Sequence, residues 1–291
     1  MASLHPTPVL RGVLDDALAE TLARDGYAHL EGFLDGGGVD AGRRAFAIAT
    51  ERLGRPWGDR WFPTILLPED DVRAFITESL EALVVPPLRR VLAPDVWELL
   101  RLDYSVKPGG AQSGLGPHQD FSLVDERSAA SLYLWVPLED TDGHNGTLHV
   151  VPGSHRFANR VRSQHVPAHF DDVLDLVEDE AVRIDCAAGD LVVMVSGLVH
   201  YSPPNEGEEL RLVAHGIVTP VGVPLVFFFA DEETPAGLVE CFEVDLDTYV
   251  RHIHRGRPGP EVVRTRFEER PPTRLTRERF RQGIEAVRAQ R

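Results

Sequence analysis

The chain has 291 residues, 43% of them hydrophobic and 8% aromatic, enough apolar material for a full core in one large domain or two small ones. A formal net charge of −16 argues against a nucleic-acid or anionic-membrane partner, because phosphate binding needs a basic surface. Cys186 and Cys241, the two cysteines, form no CxxC spacing or disulfide framework. No apolar run has the length of a membrane span, and Met1-Ala2-Ser3-Leu4-His5-Pro6 lacks a basic-then-apolar leader; a cytoplasmic protein is expected. The single lysine, Lys107, among many arginines reads as biased base composition rather than chemistry.

In chain order, apolar positions at helical spacing over residues 13–25 predict a helix stopped by Gly26, and residues 27–33 predict a short strand. Gly36-Gly37-Gly38 reads as a turn before a second helix over 39–53. A polar aromatic loop, Arg55 to Phe62, carries Arg60 and Trp61 and could close over a substrate. Residues 70–93 predict one or two helices broken at Pro86-Pro87. From about residue 96 the period changes from 3.6 to 2. Strands are expected at 97–106, 130–138, 147–151, 181–186, 191–195, 211–219 and 224–230, with an Asn145-Gly146 hairpin signal and a long irregular insertion over 156–180. Charged helical sequence closes the chain beyond Thr273. Helices followed by short strands and turns indicate an α+β protein with a sandwich or barrel core and helices packed on one sheet. The expected organisation is one domain over 1–291: a helical N-terminal region over 1–95, a β core of about 96–230 and a helical extension over 240–291.

The chemistry centres on Gly116-Pro117-His118-Gln119-Asp120-Phe121. On an extended strand, residues i and i+2 share a face, so His118 and Asp120 point into one space. A further histidine would complete the two-histidine, one-carboxylate set that holds non-haem Fe(II) with open positions. His200, following the apolar run 191–195, is the candidate. Arg211, eleven residues later at the start of a strand, can take a carboxylate bidentately. Phe121, Trp135 and Tyr104 are candidates for lining the substrate pocket. Gln112, in the loop before His118, is a candidate for reaching a cosubstrate. His155 reads as structural, and His144, His149, His165, His169 and His215 have no spacing that competes with the triad.

These residues, together with Asn145-Gly146-Thr147-Leu148-His149-Val150-Val151-Pro152-Gly153-Ser154-His155, Gly189-Asp190 and His200-Tyr201-Ser202, resemble the phytanoyl-CoA dioxygenase family of Fe(II)/2-oxoglutarate oxygenases over roughly residues 22–220. The resemblance implies a double-stranded β-helix (a jelly-roll variant), with His118, Asp120 and His200 as iron ligands. It implies that Arg211, supported by Ser202, binds the distal carboxylate of 2-oxoglutarate, and that O2 is the oxidant. Related halogenases carry a small residue in place of Asp120, so its carboxylate favours oxygen insertion over halogenation. The expected reaction is hydroxylation of a small molecule such as an amino acid or secondary metabolite, with desaturation, epoxidation and ring closure left open. A cupin-like metalloenzyme that does not use 2-oxoglutarate, and a catalytically silent barrel binding protein, are the competing readings.

Overall fold

Helix ends are set by local chemistry. The computed structural model describes residues 4–6, 10–272 and 274–290, so the first three residues of the stretch read for a leader lie outside it. Helix α1 (Asp16–Asp25) begins where the Asp15 side chain accepts from the Leu18 N–H and ends at Gly26, whose φ of 81° suits glycine. Strand β1 (Tyr27–Leu30) follows. The three glycines at 36–38 are not a turn: they form the first turn of α2 (Gly36–Leu53), because Asp35 caps it by accepting from the Gly38 N–H. After β2 (Phe62–Pro63) comes α3 (Asp70–Leu88), which Pro86 and Pro87 do not break. Both prolines fall in its last turn, so the missing N–H groups cost hydrogen bonds only where the ladder is about to end.

The β core consists of β3 (Trp97–Lys107), β4 (Leu115–His118), β5 (Leu132–Pro137), β6 (Leu148–Val150), β7 (Val182–Ile184), β8 (Leu191–Val195), β9 (His200–Ser202) and β10 (Arg211–Pro220). The insertion over 156–180 is mostly irregular but ends in a short helix, α4 (Leu174–Glu180). The extension is not wholly helical. Strands β11 (Leu225–Phe229), β12 (Leu238–Val244) and β13 (Arg264–Glu269) form a sheet of their own, with α5 (Leu246–Arg255) between the last two and α6 (Arg277–Arg288) at the end. The alternation of β13 is hidden by charge: Arg264 pairs with Glu240, and Arg266 with Asp125 and Glu268. No described helix is long and apolar enough to cross a membrane.

The larger antiparallel sheet runs β1-β8-β5-β10-β3-β2 and the smaller runs β4-β9-β6-β7, two layers as a double-stranded β-helix requires. Strand parity divides the core. Leu102, Tyr104 and Val106 of β3, Leu132, Leu134 and Val136 of β5, and Leu212, Ala214 and Val218 of β10 pack with α1, α2 and α3. The alternate residues Tyr133, Trp135, Val192, Met194, Val213 and Ile217 face inward, toward Leu148, Val150 and Ile184 of the smaller sheet. The inward face of the larger sheet and the mouth of the smaller one enclose the site.

Candidate active site

His118 ends β4 and His200 begins β9, and the two are directly paired across the strands. Their ring centroids lie 4.2 Å apart. Asp120 brings one oxygen to 3.9 Å from His118 Nε2 and the other to 3.7 Å from His200 Nε2. Each imidazole is oriented from behind: His118 Nδ1 meets the Gly116 carbonyl at 2.9 Å and His200 Nδ1 meets the Leu198 carbonyl at 3.0 Å. An Nδ1–H donated to a carbonyl leaves the Nε2 lone pair free toward a common point, the usual support for a metal-bound histidine. Burial and the neighbouring His200 push His118 down to about 4, and burial likewise brings His200 to about 4, so both rings are neutral and ready to ligate at neutral pH. The three ligand atoms lie within 4.8 Å of one another. This donor set, two imidazoles and one carboxylate on one face, fits Fe(II).

A second cluster, His29, Cys186 and Asp190, is equally tight, but its carboxylate is committed. Asp190 accepts the N–H groups of Gly32 and Ala187 and meets His29 Nε2 at 2.9 Å, tying the Gly189-Asp190 turn to β1.

Arg211, the first residue of β10, is buried. Its Nη1 donates to the Gly146 carbonyl at 2.5 Å and to Ser202 Oγ at 3.0 Å, while its Nε is buried without a partner. The guanidinium carbon stands 5.5 Å from the centre of the Trp135 ring, within cation–π range. Gly146 belongs here because its φ is 72° and an added Cβ would come within 2.3 Å of the Pro203 carbonyl. Lys107 lies directly opposite Arg211 on β3, fully buried, with Nζ donating to the carbonyl and hydroxyl of Ser202 and to the Pro203 carbonyl. Burial first, then the charge of Arg211, lowers Lys107 to about 6. Sequence reasoning set the one lysine aside as base composition. The signal it missed was parity, since Lys107 shares a face with 101, 103 and 105 on one long strand.

A cavity of about 330 Å³ opens onto the triad and Arg211. Phe121, Trp135 and Ser202 line it, as does Trp61, whose Nε1 donates to Ser105 Oγ. Arg60 is exposed and is not among the lining residues. Tyr104 is not in the cavity. It lies on the outward parity of β3, and its hydroxyl donates to the Gly42 carbonyl beneath α2. Gln112 is exposed on a turn and is not among the lining residues; the buried amide of that loop is Gln119, which donates to the carbonyls of Asn159 and Gly197. His155 is buried away from the triad, its Nε2 meeting the Ala23 carbonyl. His215 lines the cavity and meets Asp103 at 3.3 Å. Leu246, Tyr249 and Val250 of α5 complete the wall, a contribution no motif announced.

The model of the phytanoyl-CoA dioxygenase (PhyH) family matches residues 22–213, a stretch that contains the triad, Ser202 and Arg211. The chain belongs to the phytanoyl-CoA dioxygenase family. Among its relatives, phytanoyl-CoA dioxygenase 1 of Oryza sativa subsp. japonica is 32% identical over 105 residues, 35% of this chain and 37% of that protein. The phytanoyl-CoA dioxygenase of Arabidopsis thaliana is 32% identical over 111 residues, 37% of this chain and 39% of that protein. The matched segment thus spans little more than a third of either plant protein. Among solved structures, EctD from S. alaskensis in its apo form superposes with a TM-score of 0.55 at 21% identity, covering 77% of this chain and 86% of that one. The non-haem alpha-ketoglutarate-dependent carbocyclase SnoK from nogalamycin biosynthesis gives 0.54 at 23%, covering 76% and 88%. At these identities the superpositions establish a shared fold. The family match stops at residue 213, so β11–β13, α5 and α6 lie beyond it.

Proposed function

We propose that the protein is an Fe(II)/2-oxoglutarate-dependent dioxygenase that hydroxylates an unactivated C–H of a small molecule, and that residues 1–291 act as one catalytic domain. The observation that carries this reading is the pairing, across one cavity, of a two-histidine, one-carboxylate triad with a buried guanidinium whose Nε has no protein partner. His118, Asp120 and His200 hold Fe(II). Arg211 receives the distal carboxylate of 2-oxoglutarate, with Ser202 and Lys107 fixing its position. When bound, the iron supplies oxidative decarboxylation of 2-oxoglutarate by O2, to succinate and CO2, coupled to oxidation of the substrate. The chain's own role is to orient: Gly116 and Leu198 fix the imidazoles, Ser202 and Gly146 fix the guanidinium, and the apolar walls exclude water. The cupin-like alternative has no use for a buried, half-satisfied arginine beside the triad.

Anaerobic titration of the Fe(II)-loaded protein with 2-oxoglutarate tests this. A weak visible metal-to-ligand charge-transfer band is expected, and its loss in Arg211→Ala at the same ligand concentration. Iron binding with no band at any concentration would remove 2-oxoglutarate from the mechanism.

Lys107 adds a proton to that titration. Its folded value of about 6 lies below the ordinary 10.5. Burial and Arg211 favour loss of this proton in the folded chain, against the pull of the three acceptors around Nζ, which together call for the ammonium. The burial therefore costs stability most fully below about pH 6, and the cost is relieved as pH rises toward 10.5. A dianion seated at Arg211 favours the charged amine and lifts its pKa. Near pH 7.5, binding of 2-oxoglutarate is expected to take up close to one proton, measured by calorimetry in buffers of different ionisation enthalpy. Lys107→Met is expected to remove that uptake. No uptake in the parent protein would show that the amine keeps one charge state through binding.

A further inference from the structure

The cavity has a second polar end that the triad and the Arg211 site leave unused. Arg101, Asp103, Ser105 and Lys107 share the inward parity of β3, and the register of β10 sets Ile217 opposite Arg101 and Arg211 opposite Lys107. Six residue steps of strand lead from Arg101 to Lys107, about 20 Å at the usual rise. A diacid as short as 2-oxoglutarate, held at Arg211 and on iron, spans well under half of that.

Arg101 lines the cavity. Its Nη2 donates to Asp103 Oδ1 at 2.8 Å, and its Nε is buried with no hydrogen-bond partner. Asp103 is fixed in turn: Oδ2 accepts from the Ile65 N–H and Oδ1 meets His215 Nδ1. Burial would raise Asp103, but the charge of Arg101 and the hydrogen bond from His215 hold it below the usual carboxylate range. The guanidinium is therefore held in one pose by an ionised partner that leaves Nε unmet. A buried donor on a charged group without an acceptor is costly, and native proteins rarely leave one. Arg101 as a whole still lines the cavity and keeps 14% of its side chain accessible, so a ligand oxygen can meet the guanidinium there.

The remaining wall limits what that ligand is. Ile217 stands opposite Arg101, with Tyr133 and Met194 next across the sheet, and Leu246 and Tyr249 add to an apolar or aromatic lining. Among the described lining residues the one carboxylate is Asp120, which belongs to the triad. The ammonium of a free amino acid would have no counter-charge here, whereas a carboxylate would.

We propose that the substrate is an apolar carboxylic acid, its carboxylate received by Arg101 and its hydrocarbon body laid along the apolar wall toward the triad. This rests on the reading of the triad as the oxidising centre. The Arg101–Asp103–His215 group is then a specificity device: it fixes one end of the substrate and so selects which carbon faces the iron.

The test uses 2-naphthoate and its uncharged isostere 2-naphthamide as probes. Each is titrated calorimetrically, without oxygen, into the Fe(II)-loaded protein saturated with 2-oxoglutarate. Naphthoate is expected to bind at least about tenfold tighter than the amide, in line with a hydrogen bond to a charged group. Arg101→Gln is expected to erase that preference. Arg101→Lys, which keeps the charge beside Asp103 and guards against a folding defect, is expected to retain some of it, and Arg211→Ala to leave it intact. Equal binding of the two probes, or a preference that survives Arg101→Gln, overturns the proposal. A preference lost in Arg211→Ala also overturns it, by placing the carboxylate at the cosubstrate end. The charge-transfer band in the same samples separates the two readings. A band without the preference refutes the substrate class alone, and an Arg101-dependent preference without a band refutes the cosubstrate while keeping the carboxylate site.

Discussion

His200→Ala is expected to remove Fe(II) binding at stoichiometric metal and, with it, all 2-oxoglutarate consumption above background. Mutating a mere outer partner of a metal ligand typically costs about 10- to 100-fold in affinity or activity, and loss of a ligand from a set of three exceeds that. His200 is also the hinge of the geometry. It pairs with His118 across β4 and β9, and its Nε2 faces the second oxygen of Asp120. Asp120→Asn, which keeps the shape and removes the charge, is expected to weaken iron by a similar margin without loss of fold. His144→Ala serves as the control, since that ring is exposed at the hairpin beside Glu206. Metal content after anaerobic gel filtration and succinate release measure both outcomes. Iron retained at one equivalent in His200→Ala would place the metal elsewhere.

The second large effect is on stability. Arg162, in the 156–180 insertion, is among the most deeply buried side chains. Its guanidinium grips both oxygens of Glu126, and its Nε donates to the backbone carbonyl of Asp120 at 2.7 Å. Ser196 Oγ donates to the same Glu126. Arg162→Met leaves Glu126, a carboxylate only 10% exposed, without its ion partner and with only the Ser196 hydroxyl, for which about 3–5 kcal/mol is expected. It also frees the backbone of the residue that carries the triad's carboxylate, so iron affinity should fall with stability. Replacing both partners, Arg162→Met with Glu126→Leu, is expected to recover most of the stability and little of the iron affinity, because an apolar pair restores packing but cannot hold the Asp120 carbonyl. Urea midpoints read the first effect and metal titration the second. A loss below about 1 kcal/mol in the single variant would mean that water reaches the pair.

Much of this was legible in the sequence because it depends on spacing along one strand. The i, i+2 rule placed His118 beside Asp120, and the change of period near residue 96 located the sheets. The capping aspartates before α1 and α2 were passed over, and the glycines after Asp35 were read as a turn. Tyr104 went astray because an aromatic on a strand near a site is no guide without its parity. Its neighbours Leu102 and Val106, both apolar, already assigned that face to the helices. Arg101, Asp103 and Lys107 were missed for the converse reason: charged residues at alternate positions of a long strand look like a solvated face, whereas here they line the buried side. Arg162 and the wall from α5 were beyond reach, because each acts across long sequence separations with no pattern of its own. Residues 264–269, expected to be helical within the 240–291 extension, form a strand that ion pairs, not apolar side chains, fasten.

The alternation along β3 has a consequence for how this protein can change over evolutionary time. Its even positions from 102 to 106 answer to the helical layer, where a substitution is felt as lost abundance whatever the enzyme is asked to oxidise. Its odd positions line the cavity at Arg101 and Ser105 and brace it at Asp103 and Lys107, where on the proposed reading a substitution is expected to alter which molecule is turned over. One eleven-residue strand is thus subject to two interleaved constraints, one for persistence and one for appetite. Lineages that acquire new substrates should differ at every second residue.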